Sequence, residues 1–267
     1  MGIRVSQPCS DLGVPRALKR KGSGRVLGVC FLAVFSASLV ILLDGSERLI
    51  WLANGLLLSY LLVVPRWLWR QYAAVGFAAL LVGSMMARPG QFYTCLIHAV
   101  LNTAEAALSA WLLRRRSADL PRFTDERYLL RFGAIAVVGS PTAIAFLFAI
   151  FSSLSHGLPG PSAFYRWITT DGLGIAIVTP TCVSLSLSTL KGSKQWQWHR
   201  HWILLAALVP VTIGTFCQTR LPLIFVIYPL VGLILFRLGL GCASLSTLFV
   251  TAVGGWFTIH EIGRAHV

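Results

Sequence analysis

The stretch that decides the fold is residues 167–180, WITTDGLGIAIVTP. It sets one carboxylate, Asp171, inside a run that otherwise reads as lipid-soluble, and a charge there is costly unless it is paired or faces water. Two glycines, Gly172 and Gly174, allow a second helix to approach closely, and Pro180 bends or ends the helix. If Arg166 and Trp167 mark the outer interface, Asp171 lies about one helical turn deep and is wet.

The rest of the chain agrees with a membrane setting. With 267 residues, 56% of them hydrophobic, 12% charged and a mean hydropathy of +0.73, it is too apolar for a soluble globular domain. Apolar runs cover residues 26–43, 50–64, 72–86, 92–113, 129–154, 164–187, 202–217, 221–236 and 238–260. Most approach or exceed the roughly 17–25 residues that a crossing helix needs. The expected fold is therefore all-α, a polytopic integral membrane helix bundle of about nine transmembrane segments.

The net charge of +14 does not point to nucleic acid, because the 23 Lys and Arg residues lie between the apolar runs and not on one face. Their distribution sets orientation instead. Eighteen fall on the side that holds the N-terminus and four, Arg48, Arg88, Arg166 and Arg220, on the other. That bias places the basic tail, residues 1–25, in the cytoplasm. Trp67, Trp69, Trp111, Trp196, Trp198 and Trp202 sit beside the same inner loops, as an interfacial belt would.

Chemistry-bearing residues are few. On the fourth segment His98, Asn102, Glu105 and Ser109 follow at spacings of four, three and four, which puts them on one helical stripe. A polar stripe in an apolar span faces a bundle interior or a water-filled cavity. Glu105 and Asp171 are the two acids well inside expected spans, Glu105 the deeper, and they are read either as a ligand or proton site or as a satisfied interhelical hydrogen bond. The pair Asn54-Gly55 reads as a packing point. Arg114, Arg115 and Arg116 read as a topology anchor. His199 and His201 lack a third ligand, so no metal site is assigned. The six cysteines form no C-x-x-C pair, and the five in or beside apolar runs read as small packing residues. No hydrolase, phosphate-loop or zinc-protease motif occurs and the polar loops are too short for a catalytic domain, so no enzyme and no cofactor is expected from this chain.

Three motifs carry a family resemblance: W-x-A-N-G-x-x-L at 51–58, N-x-x-E-A at 102–106 followed by Leu112-Leu113-Arg114-Arg115, and W-x-x-x-D-x-L-G-x-x-x-V-T-P at 167–180. With L-P-L-I-F-x-x-Y-P and R-x-G-L-G between 221 and 241, the chain resembles the first type of bacterial membrane-associated sensor domain over residues 26–260. The resemblance implies an integral membrane sensory module of eight to ten helices in the bacterial inner membrane, feeding a cytoplasmic histidine kinase or a cyclic-di-GMP output domain. Leu52-Ala53 departs from the family, which commonly carries proline there.

The last seven residues, Glu261 to Val267, are what GAG ATC GGA AGA GCA CAC GTC encodes, a string that matches a widely used sequencing adapter. Residues 261–267 are thus expected to be an artefact that replaces a missing C-terminal output domain.

The functional expectation is a signal-input domain whose pocket is lined by Glu105, Asn102 and Asp171, with His98, Asn54 and Trp167 as further ligand-binding or coupling residues. Expected partners are the lipid bilayer, a second copy joined through the output domain, and a membrane partner protein. The second reading is a small transporter or transporter-like substrate-binding component, since intramembrane acids and proline-containing helices suit a midplane substrate site as well. A membrane enzyme of lipid metabolism ranks last, because its acids would gather at one interface.

Overall fold

The structure is a computed structural model that describes residues 23–44, 50–115, 121–156, 160–190, 198–217 and 224–264. The tail 1–22, the loop cations Arg48, Arg116, Lys191, Lys194 and Arg220, Trp196 and residues 265–267 lie outside them. Nine helical rods are present among the described residues. They are α1 (Ser23–Asp44), α2 (Leu52–Val63), α3 (Trp69–Ala87), α4 (Phe92–Arg114), α5, α6 (Gly160–Leu190), α7 (Trp198–Cys217), α8 (Ile224–Leu238) and α9 (Leu240–Arg264). The rod α5 is continuous through Glu126–Phe132, a wide π turn at Gly133–Gly139, and Ser140–His156.

The nine rods match the nine apolar runs, but five stretches are long and apolar enough to cross a membrane: Gly24–Leu43, Phe92–Arg114, Glu126–Leu154, Gly160–Ser186 and Gly241–Thr258. The shortest rod is α2, with 12 residues. At 1.5 Å per residue it reaches about 18 Å, well under the roughly 30 Å of a hydrocarbon core. Both of its ends have a local cause. Trp51 is extended and donates its backbone N–H to the Thr170 carbonyl of α6 at 3.1 Å instead of joining a helix. Pro65 drives the preceding Val64 to an extended conformation (φ −79°, ψ 154°), which stops the helix.

Packing inverts the usual soluble pattern. On α1 the buried residues Cys30, Val34, Ser38 and Ile41 form one stripe, while Val29, Leu32, Val40 and Leu43 are exposed. Large exposed apolar side chains recur on α5 (Phe146, Leu147, Leu154) and α8 (Tyr228, Phe236), as a lipid-facing surface requires.

The helices form two packing groups. In the first, α2 lies against α1, α4 and α6, with α3 beside α1 and α4, and α5 along α6. In the second, α7, α8 and α9 pack on one another around Leu208, Ile234, Cys242 and Ala243. Helix α9 also meets α6, where the Thr181 hydroxyl donates to the Ser244 carbonyl at 3.3 Å.

Pro180 does not end α6, which runs on to Leu190. Pro141 has a different local outcome. It cannot donate to the Val137 carbonyl four residues back, and the turn before it widens into the π segment, where Ser140 N–H reaches the Ile135 carbonyl. The Val137 carbonyl is where Gly172 of α6 docks: a Cβ there would lie 2.7 Å from its oxygen.

Candidate functional site

Helix α6 is the hub because its small residues admit backbone from two sides. Gly172 meets α5 at Val137, and Gly174 lies directly against the Trp51 carbonyl at the start of α2. Gly55 completes the α2 contact, since a Cβ there would sit 2.8 Å from the Gly174 carbonyl oxygen. The Gly55 carbonyl in turn accepts the hydroxyls of Thr179, at 3.1 Å, and Ser59, at 2.5 Å. This is close small-residue packing reinforced by polar side chains, the usual means of joining helices in lipid.

That approach brings the two acids onto one amide. The Asn54 Nδ2 of α2 donates to Glu105 Oε1 of α4 at 3.0 Å and to Asp171 Oδ2 of α6 at 2.9 Å. Trp167 Nε1 donates to the second Glu105 oxygen at 2.7 Å, and the Thr170 hydroxyl to Asp171 Oδ1 at 3.2 Å. Trp167 and Asp171 are four residues apart, so one face of α6 serves both acids. Glu105 is 0% exposed and Asp171 4% exposed. Asp171 is therefore less open than its place one turn from the interface suggests: Asn54 and Thr170 bond its two oxygens, and the residue meets a cavity on its remaining side.

Of the expected site residues, Glu105, Asp171, Asn54 and Trp167 form this network. The Asn54-Gly55 pair does more than pack, because Asn54 donates to both acids. Asn102 turns back to its own helix, with Nδ2 donating to the His98 carbonyl at 2.7 Å. His98 joins an aromatic wall, 5.0 Å from the Phe148 ring centre and 5.6 Å from that of Trp167.

A cavity of about 60 Å³ opens beside the network. Asp171, Asn102, His98 and Trp167 line it; Glu105 and Asn54 are not among its lining residues and reach it through their bonds to Trp167 and Asp171. The lining also includes Trp51, which opens the 51–58 motif but is not among the expected site residues, and two arginines that no motif contains, Arg88 and Arg166. The two arginines are among the four cations on the sparsely charged side, which is the one signal that singles them out.

At the far end of the same helices, arginines cap backbone. Arg114 Nη1 donates to the carbonyls of Leu61, at 3.3 Å, and Val64, at 2.5 Å, at the C-terminus of α2, with its guanidinium over the Trp69 ring. Arg131 does the same for Leu112 of α4 at 2.9 Å. Arg114, expected from the sequence as a topology anchor, is thus a helix cap.

Fold and site together define a multi-pass membrane protein whose central helices meet at a buried polar cluster. The MASE1 family profile matches residues 24–265. The chain belongs to the MASE1 family, a family of membrane-associated sensory domains and not of catalytic ones. No curated protein and no solved structure matches.

Proposed function

We propose that this domain receives a signal in the cavity beside Asp171 and relays it, through Asn54 and Glu105, as a displacement of α2 and α4 against α6. The carrying observation is the shared amide: Asn54 Nδ2 holds one acid from α4 and one from α6, so a change at Asp171 redistributes bonds across three helices. A short α2 that begins on non-helical backbone suits such a movement, because it is tied to α6 at Trp51 and Gly55 and not along a full membrane-length seam. The ligand must favour one of two arrangements over the other for this to transmit anything. In the bacterial inner membrane the recipient would be a C-terminal histidine kinase or cyclic-di-GMP output domain, which would also pair two copies. Membership in a sensory family favours this reading over a transporter.

The test uses the chain fused to such an output domain. Glu105→Gln and Asp171→Asn are expected to insert normally, judged by membrane fractionation, and to lose or lock the output. A wild-type response in both variants would refute the relay.

A further inference from the structure

We propose that the cavity beside Asp171 binds a small zwitterion of the α-amino acid type, with its ammonium group at Asp171 and Asn102 and its carboxylate toward Trp51, Arg88 and Arg166. The proposal rests on the reading that this cavity is where the signal enters.

Charge selects the class. The donors around the two buried acids, Asn54, Trp167 and Thr170, are all neutral, and the acids hydrogen-bond each other across one shared proton, so a cationic group in the cavity would supply the counter-charge for the one negative charge that the pair then carries. Yet two guanidinium groups line the same space, which disfavours a plain cation, and Asp171 disfavours a plain anion. A ligand with both charges, a few bonds apart, meets both walls.

Two buried polar atoms point the same way. Trp51 is 8% exposed and its Nε1 has no hydrogen-bond partner; Asn102 is 3% exposed and its Oδ1 has none. Both residues line the cavity. A buried donor and a buried acceptor left open are costly, each by about 1–3 kcal/mol, unless a bound molecule meets them. The Trp51 N–H suits a carboxylate and the Asn102 carbonyl oxygen suits an ammonium. Phe148 and Trp167 also line the cavity, and aromatic rings of this kind attract an ammonium group.

Size narrows the choice further. A volume of about 60 Å³, at about 10–15 Å³ for each water-sized group, holds roughly four to six non-hydrogen atoms. Glycine and alanine fit within that space.

The experiment is calorimetric titration of the full 267-residue chain in lipid nanodiscs with glycine and L-alanine, alongside ethylamine and propionate, which each carry half of the ligand's charge. The amino acids are expected to bind, with either half-ligand weaker by about tenfold or more. Asp171→Asn and the surface variant Arg166→Gln should each weaken alanine by about tenfold or more. Arg166 is exposed, so that variant reports on binding even if Asp171→Asn fails to fold. Absence of binding by glycine and alanine at millimolar concentration, equal binding of a half-ligand, or alanine affinity unchanged in Arg166→Gln would overturn the proposal. Spin-label distances between α2 and α6 in the same samples separate the two readings. Binding without movement supports the zwitterion site and sinks the relay, whereas movement driven by another signal without amino acid binding sinks the site alone.

Discussion

The six-helix body α1–α6 and the three-helix group α7–α9 are made of similar apolar rods, yet they are joined by different means. In the first, helices touch backbone to backbone at Gly55, Gly172 and Gly174, and two acids share one amide between them. In the second, the shared core is Leu208, Ile234, Cys242 and Ala243, and the buried polar residues described are Thr212, Thr215 and Ser246. Lipid offers apolar side chains almost the same surroundings as a helix neighbour does, so a seam such as that of α7–α9 gains mainly from van der Waals fit. Close backbone contact with polar ties gives the body a specific geometry, and that geometry is what a signal can alter.

Glycine substitution should expose this difference most sharply. A Cβ on Gly174 would fall onto the Trp51 carbonyl, which the backbone on both sides holds in place. Gly174→Ala is expected to cost on the order of 3 kcal/mol or more and to separate α2 from α6. Gly214 and Gly232, in α7 and α8, have nothing within 4 Å of the same position. Gly214→Ala and Gly232→Ala should stay within about 1 kcal/mol of the parent. Even Gly254, which would meet the Phe216 ring at 2.7 Å, faces a side chain that can turn aside. Thermal unfolding in detergent, followed by size-exclusion chromatography, reads all three variants. A mild Gly174→Ala would mean that the body is held no more tightly than the triad.

The polar ties come next in size. Asn54→Leu strands one oxygen on Glu105 and one on Asp171, at about 1–3 kcal/mol each. The triple variant Asn54→Leu, Glu105→Leu, Asp171→Leu removes the whole cluster, so most of that loss should return while any output response stays absent. Recovery of stability without recovery of response would assign the cluster to signalling. If the triple variant is less stable than Asn54→Leu, the cluster is a structural tie instead.

Much of this body can be read from the sequence, for a reason that also sets the limit. The stripe of His98, Asn102, Glu105 and Ser109 and the glycines of 167–180 obey helical spacing, and local periodicity is visible in one dimension. Asn54 is a candidate on sequence grounds, but its bond to both acids is not visible: it lies 51 residues from Glu105 and 117 from Asp171, and its apolar neighbours also let it read as a packing residue. Trp51 takes part through backbone N–H and carbonyl groups, which carry no residue signature. The π turn before Pro141 and the shortness of α2 follow from single prolines and one interhelical bond, whereas hydropathy averages over a whole run. In α7–α9 spacing predicts the rods but not which of their faces meet, because apolar residues surround each helix.

The smallest expected effect lies where the two groups join. The Thr181 hydroxyl is shared between the Ile177 carbonyl of its own helix, at 2.7 Å, and the Ser244 carbonyl of α9, at 3.3 Å. The shorter bond is the intrahelical one, so Thr181→Val gives up mainly a bond that does not tie the groups together. An interhelical hydrogen bond in a membrane averages about 0.6 kcal/mol, and the expected loss of stability is below about 1 kcal/mol. The two groups should then unfold as separate transitions in a denaturant titration, the α7–α9 group at the lower concentration because it lacks the backbone contacts of the body. A loss above about 2 kcal/mol would instead make Thr181 part of one cooperative unit, with α9 able to feel displacements of α6 directly.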